Sequence, residues 1–508
     1  MTLFIFFFFG NNITQRGVIS LNKNGIRTIG IIFAVCGAVL SLHLFNISLI
    51  KSPSLAQNAA SQRASGENIK DWRGCIYDCN MIPLTDRYTS PVTAPQGDMI
   101  NVFARYDENS VAEHLLGYSL SDGSGGAGLE RRYDSILKSD TSHSIRYIND
   151  ATGTPTGKIY NQKNAAYIPQ NNIKLTLDYK IQKIAEETAD RMLKSGAIVI
   201  MDAKSYQIKA MVSRPGFDQN DITASMGSAG SPLVNKALAQ YNPGSIFKII
   251  TSAAAIESGI GDDIKIRCQG EMIIDKKKFV CHKDDGHGEM DFSKGFANSC
   301  NCYFYTLAQK CGGDAIINTA RDFGLGSALC DDVLNDSGGI LPIRELYSPR
   351  ECANIAIGQG EILITPLQAT YMTTIIANGG IASNVNLAHS IVDHEGNIVQ
   401  NLLATGSRIV ISPETASKIA SMMRLCVTEG TATAANIPHL SIAGKTGTAQ
   451  TGWMDDGTAM VHGWFCGFFP YENPKYAMTV FCENGQSGSE ACIPIFREIA
   501  ERINVLYN

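Results

Sequence analysis

The feature that most limits what this chain can become is an uncharged apolar run near its start. From Ile29 to Ile50 it offers 22 residues interrupted only by small or mildly polar groups, His43 and Asn46 included. As a helix this run is about 33 Å long, enough to cross the hydrocarbon core of a bilayer. Arg16, Lys23 and Arg27 precede it, and the polar stretch after Lys51 is short of positive charge at first. The positive-inside bias then predicts a cytoplasmic N-terminus over 1–28, a transmembrane helix over 29–50 and an exported remainder from about Ser52. A cleaved signal peptide is the rival reading, but the run exceeds the about 7 to 15 apolar residues of such peptides and ends without a small-x-small cleavage site. The Phe-rich stretch Leu3 to Phe9 is too short to span and is assigned no function.

With 508 residues, 44% hydrophobic and 18% charged, the chain is too long for one ordinary core and too apolar to be disordered throughout. A net charge of -5 without a long basic run in the second half leaves no electrostatic footprint for nucleic acid. The 14 cysteines are irregularly spaced, and a large domain can do without disulfides, so most are read as small buried apolar residues. Cys268 and Cys281 flank an expected hairpin and are the best candidate pair. The spacing of Cys281, His282 and His287 fits no common zinc pattern, so no metal and no cofactor are expected.

Residues 51–70, rich in Ser, Ala, Gln and Asn, read as a linker. From Trp72 to about Pro169 apolar residues are scattered among turn signals, which predicts an irregular β-containing module over 71–169 with no catalytic constellation. A second folded unit, 170–508, opens with strand character at Lys174 to Leu177 and helical spacing from Tyr179 to Leu193. Ala197 to Met201 and Ile208 to Val212 read as a hairpin, and Ser441 to Gln450, Val461 to Phe469 and Tyr476 to Cys482 as three later strands. Helical segments are expected between the sets at Ser245 to Ser258, Asn301 to Cys311 and Pro366 to Asn378, and another at Ile493 to Ile503. The pattern predicts an α/β (α+β) fold: a largely antiparallel sheet completed by distant parts of the chain around a helical insertion.

The chemistry-bearing residues sit in three short motifs. Ser245-Ile-Phe-Lys248 follows Pro243-Gly244 and opens a helix, which puts Ser245 and Lys248 one turn apart on one face. Serine needs a base to become a nucleophile, and a lysine serves when its surroundings disfavour the ammonium form. A lone S-x-x-K is weak evidence and more often an ordinary helix start. Here it is joined by Ser299-Cys-Asn301 ahead of a helix and by Lys445-Thr-Gly447 within an expected strand. That ordered triple belongs to the penicillin-recognising serine enzymes.

From about Leu175 to Arg502 the chain resembles the transpeptidase domain of class B penicillin-binding proteins. Gly196 to Asp202, Ser213-Arg-Pro215, Gly286-His-Gly288, Gly358-Gln-Gly360 with Thr365-Pro-Leu-Gln368, and Gly430-Thr-Ala432 all stand in family order. Upstream, Arg73-Gly-Cys-Ile-Tyr-Asp78 and Gly128-Leu-Glu130 with Tyr133 resemble the family's non-catalytic pedestal domain, with Cys79 departing from the usual Arg. No glycosyltransferase domain fits before Leu175, so the resemblance is to the monofunctional class.

The resemblance implies a five-stranded antiparallel sheet and the following roles. Ser245 attacks the penultimate D-Ala carbonyl of a peptidoglycan stem peptide, Lys248 is the base, Ser299 relays the proton to the leaving amine, and Asn301 positions. Lys445 meets the substrate carboxylate, Thr446, Gly447 and Thr448 bind the peptide, and the backbone N–H groups of Ser245 and Thr448 form the oxyanion hole. Stem peptides and β-lactams are the implied ligands, with a lipid-II polymerase as a partner. Gly358-Gln-Gly360 is read as bordering the site, with Thr365-Pro366 a helix start and no nucleotide loop. Asp284-Asp285 reads as a solvated turn, and Trp453 and Trp464 as packing near the K-T-G strand.

A D,D-carboxypeptidase, in which water replaces the acceptor amine, is the nearest alternative. No Glu-x-x-x-Asn lies between Asn301 and Lys445, which disfavours a class A β-lactamase. A non-enzymatic scaffold or β-lactam sensor is the alternative from another class.

Overall fold

The computed structural model describes residues 23–51, 64–69, 73–86, 88–93, 99–107, 110–120, 122–138, 143–149, 155–160, 171–330, 334–343, 347–455, 458–485 and 487–507. The Phe-rich start, Arg16 and most of the expected linker lie outside them. The chain falls into two compact units, residues 1–67, 93–98 and 144–162 in one and residues 68–92, 99–143 and 163–508 in the other.

In the first unit the helix Lys23–Phe45 runs on into a wider turn, Asn46–Ile50. Its apolar span Arg27–Ser48 has a mean hydropathy of 2.2 and none of it is buried. Among the described residues it is the one helix long and apolar enough to cross a membrane. An apolar surface on every side suits lipid, since the helix satisfies its own backbone polar groups. The strands Ala64–Ile69, His143–Asn149 and Pro155–Tyr160 form a three-stranded sheet, so part of the stretch read as linker is strand.

The second unit is built around one sheet, with strands in the order Ala443–Asp455, Thr458–Phe469, Tyr476–Gly485, Gly196–Asp202 and Ile208–Arg214, every neighbouring pair antiparallel. The run Ala197 to Met201, in the fourth strand of this order, is apolar throughout because both faces of the sheet are covered. Ala197, Val199 and Met201 enter one core and Ile198 and Ile200 the other, as the two-residue repeat of a strand requires. The helices Tyr179–Met192 and Ile493–Tyr507 close the second core. The first core takes the helical insertion, including Lys248–Glu257, Asn301–Cys311, Pro366–Ala377 and Pro413–Thr428. Pro366–Ala377 is buried along its whole length, and it starts with a reciprocal cap between Thr365 and Gln368.

The segment before this sheet is pinned by charge. Fully buried Glu130 pairs with Arg73 Nε at 2.9 Å and with Arg105 Nη2 at 2.6 Å, and it accepts the Tyr106 hydroxyl at 2.9 Å. Arg73 also meets Asp134, and Arg105 meets Asp86. A buried carboxylate with this many donors avoids the cost of an uncompensated charge. Cys79, at the position where the family pattern has Arg, is a half-buried thiol whose backbone N–H donates to Leu177 O at 2.8 Å.

Candidate active site

Ser245 lies where a close turn becomes a helix. Gly244 has φ +55, and a Cβ there would stand 2.6 Å from Thr448 O, so the position needs glycine for both its dihedral and its space. Sequence periodicity predicts one helix from Ser245; the structure instead opens with the 3₁₀ turn Gly244–Phe247 and becomes α-helical at Lys248. A 3₁₀ turn eclipses residues three apart, which stacks Ser245 over Lys248. Ser245 is half-buried, while the Lys248 side chain is fully buried.

Lys248 Nζ donates to Ser299 O at 2.7 Å, Ser299 Oγ at 3.1 Å and Asn301 Oδ1 at 2.8 Å. Lys445 is also fully buried, and its Nζ donates to the same Ser299 Oγ at 3.0 Å and to Thr446 O at 3.0 Å. One hydroxyl thus bridges two lysine amines. To hold it there, Ser299 adopts φ +53, a left-handed conformation uncommon for serine and typical of sites where aim matters more than strain.

Among the described residues neither lysine has an ion-pair partner. Burial, followed by the nearby charge of Lys445, holds Lys248 well below the usual lysine range, and burial also lowers Lys445. The amines lie 5.2 Å from the Phe304 ring and 5.8 Å from the Phe296 ring, respectively. A dry, depressed lysine beside a serine is the arrangement a general base requires.

The strand Ala443–Asp455 is an edge of the central sheet, so one of its backbone rows is available for an extended peptide. It also presses against the Ser245 turn. A Cβ on Gly447 would meet Ile246 Cγ2 at 3.0 Å and Pro243 O at 3.1 Å. Thr446 Oγ1 lies 2.7 Å from Thr431 Oγ1, and exposed Thr448 accepts the Gly488 N–H on its hydroxyl at 3.3 Å. Ser245, Lys248, Ser299, Asn301, Lys445, Thr446, Gly447 and Thr448 therefore converge from three separate chain segments.

The loop expected at the border of the site and the tryptophan expected to pack near the K-T-G strand both adjoin the Ser245 turn. Gly358 O accepts the Gly244 N–H at 3.1 Å, which sets the Gly358-Gln-Gly360 loop directly against the Ser245 turn. Asn242 ties that turn to Gly360 O and Ile362 O, while its own carbonyl accepts the Trp464 indole N–H at 3.0 Å. Trp464 is wholly buried and packs; the side chain of Trp453 lies outside the described residues. Asp284 and Asp285 are exposed.

Beside the site, the hairpin Glu271–Ile274 with Lys277–Val280 brings Cys268 and Cys281 together as free thiols. Both face His287, whose Nδ1 lies 3.6 Å from one sulfur and 3.5 Å from the other. Cys300, the middle residue of the Ser299-Cys-Asn301 motif, joins them, and the donor atoms of Cys268, Cys281, His287 and Cys300 all lie within 4.8 Å of one another. Hydrogen bonds from Cys300 and Cys302 push Cys281 strongly toward thiolate and push those two thiols up in return. Three thiols and one imidazole are the donor number and type of a tetrahedral zinc site. Linear spacing did not suggest this, because the set needs Cys268 and Cys300 from outside the local cluster.

Residues 196–501 match the family described as the penicillin binding protein transpeptidase domain. Stage V sporulation protein D of Bacillus subtilis is 31% identical over 415 residues, 78% of this chain and 62% of that protein. Peptidoglycan D,D-transpeptidase MrdA of Haemophilus influenzae is 28% identical over 427 residues, 77% of this chain and 64% of that protein. The chain thus spans a little under two thirds of the length of these relatives. Among solved structures, the D,D-transpeptidase domain of a peptidoglycan glycosyltransferase from Eggerthella lenta aligns with a TM-score of 0.70 at 25% identity, covering 86% of this chain and 99% of that one. Penicillin-binding protein 3 of Mycobacterium tuberculosis complexed with aztreonam aligns with a TM-score of 0.69 at 25% identity, covering 86% and 98%.

Proposed function

Because this chain belongs to the penicillin-binding protein transpeptidase family, we propose that it is a membrane-anchored serine D,D-transpeptidase that cross-links peptidoglycan stem peptides and is acylated by β-lactams. The observation that carries the reading is the Ser299 hydroxyl held between two buried amines, Lys248 at 3.1 Å and Lys445 at 3.0 Å. In this reading neutral Lys248 takes the Ser245 hydroxyl proton as Oγ attacks the penultimate D-Ala carbonyl. The backbone N–H groups of Ser245 and Thr448 stabilise the oxyanion, a role supported by how close the Thr448 backbone comes to the Gly244 turn, where a Cβ would stand 2.6 Å from the Thr448 carbonyl oxygen. The C–N bond then breaks, Ser299 passes a proton to the leaving D-Ala amine, and an acceptor amine resolves the ester. Lys445 and Thr446 take the substrate carboxylate, and the peptide adds as a strand along Lys445 to Thr448.

The apolar helix serves as a single-pass anchor with the N-terminus in the cytoplasm and the catalytic unit outside. A polymerase of lipid-linked glycan is the fitting partner, because cross-linking acts on newly made strands. The test is intact mass after exposing the chain to a labelled penicillin, alongside Ser245→Ala. One stable adduct on the wild type and none on the variant is expected; a folded wild type that takes up no label sinks the proposal. Product analysis with an acceptor peptide separates transpeptidation from carboxypeptidase action.

A further inference from the structure

Cys482 and Cys492 stand apart from the thiol cluster beside Ser299. Cys482 ends the buried part of the strand Tyr476–Gly485, and Cys492 closes the turn Gly488–Cys492 that leads into the last helix. Their sulfurs lie 3.3 Å apart, with 5% and 0% of the two residues exposed. A disulfide needs the sulfurs about 2.05 Å apart, so the pair must close by little more than 1 Å. The turn between them reaches the proposed substrate strand. Gly488 N–H donates to Thr448 Oγ1 at 3.3 Å, and a Cβ on Gly488 would stand 2.3 Å from Gly447 O and 2.2 Å from Trp464 O.

We propose that Cys482 and Cys492 form a structural disulfide that fastens the Gly488 turn against the Gly447 to Thr448 segment of the substrate strand. The inference rests on the proposed export of the catalytic unit, since an oxidising compartment lets such a bond form and persist. The step is a thiol–disulfide exchange with an exported oxidant that itself carries a disulfide. One cysteine thiolate attacks that disulfide, the second displaces the oxidant, and the oxidant leaves as a dithiol, having accepted two electrons and two protons. Burial holds the Cys492 thiol well above its ordinary range, which slows exchange after folding. The bond therefore forms while the strand and the turn are docking and is afterwards shielded from reductants.

The test uses the full chain in isolated membranes quenched with N-ethylmaleimide before denaturation. Trypsin releases Tyr476–Arg497, which has no internal Lys or Arg and carries both cysteines. The expected peptide is unalkylated and lighter than the dithiol form by two hydrogens, and it takes up two labels only after reduction. Two maleimide labels without reduction overturn the disulfide. Fluorescent penicillin labelling of Ser245 in the same membranes reports the transpeptidase reading separately. Acylated protein with two free thiols rejects only the disulfide, whereas a cystine peptide from unacylated protein rejects only the proposed activity. A Cys492→Ser variant checks the clamp: its acylation rate is expected to fall severalfold, with the loss recovered by a shorter, better-fitting Cys492→Ala only if packing and not the bond holds the turn. That recovery would overturn the clamping role.

Discussion

The side-chain oxygen of Asn301 accepts a hydrogen bond from Lys248 Nζ at 2.8 Å. The other two bonds from that amine go to Ser299, one to its carbonyl and one to its hydroxyl. One three-residue loop therefore supplies every acceptor of the buried lysine, and it does so without a negative charge. A neutral acceptor set holds the amine in place yet leaves its affinity for a proton low.

The first prediction concerns pH. Burial and Lys445 depress Lys248, and in the proposed role the acylating form is the free amine. The acylation rate should rise with pH through the Lys248 titration and level off below the usual lysine range. Asn301→Asp puts a carboxylate on the same amine and should move the inflection up by about 1 to 3 units. A pH–rate profile with a chromogenic cephalosporin reads both, and an inflection that stays fixed in the variant removes Lys248 from the role of base.

Gly447→Ala tests how closely the proposed substrate strand must approach Ser245. Its methyl would press on Ile246 and the Pro243 carbonyl, so the strand must back away from Ser245. A displacement of this order should cost about tenfold to a hundredfold in acylation. The melting temperature should move far less, and an acylation rate equal to wild type would show that the contact has slack.

Glu186 gives the stability of the second unit a pH dependence of unusual sign. Its Oε1 accepts the Ala112 N–H at 2.6 Å and the Gln182 amide at 2.7 Å. Burial, then the charge of Glu113, pushes its carboxyl up to about 8 from 4.5, against the pull of Arg214. A folded value above the unfolded one means stability that is fully present below about 4.5 and is lost as pH rises through about 8. Glu186→Gln keeps both accepted bonds and cannot ionise. The variant should therefore gain on wild type between these limits, as thermal melts across the range would show; a constant difference would contradict the assignment.

The thiol–imidazole cluster predicts metal content. Protein prepared without chelator should hold about one zinc per chain by elemental analysis, given its four convergent donors. Cys300→Ser should reduce that content and Cys302→Ser should not. Chelation should lower the melting temperature, and metal-free protein that melts unchanged would leave the cluster as packed thiols.

How much of this was legible in the sequence depended on range. The hairpin Gly196–Arg214, the helix Asn301–Cys311 and the cap at Thr365 follow from local patterning and came through within a residue or two. The ordered motifs identified the residues that converge. Hidden were features fixed by contact between distant segments: the 3₁₀ entry at Gly244 and the left-handed Ser299. The four-donor cluster was missed for the same reason, since Cys268 and Cys300 meet only once the hairpin folds beside the Ser299 loop. The Gly358 loop was expected at the border of the site, and the fold adds only its bond to Gly244.

The central sheet pairs Tyr476–Gly485 with Gly196–Asp202, strands more than two hundred residues apart in the chain. Its first hairpin must therefore wait, through synthesis of the whole helical insertion, for the partner that covers its open edge. Pairing over such a distance closes a long loop before any contact rewards it, which makes this a slow and aggregation-exposed step. Ser245, in the insertion, is made early, but the Lys445 strand that faces it is made late. The proposed competence to react with a penicillin would thus be among the last properties the nascent protein acquires, and a timed β-lactam pulse would report completion of the fold itself.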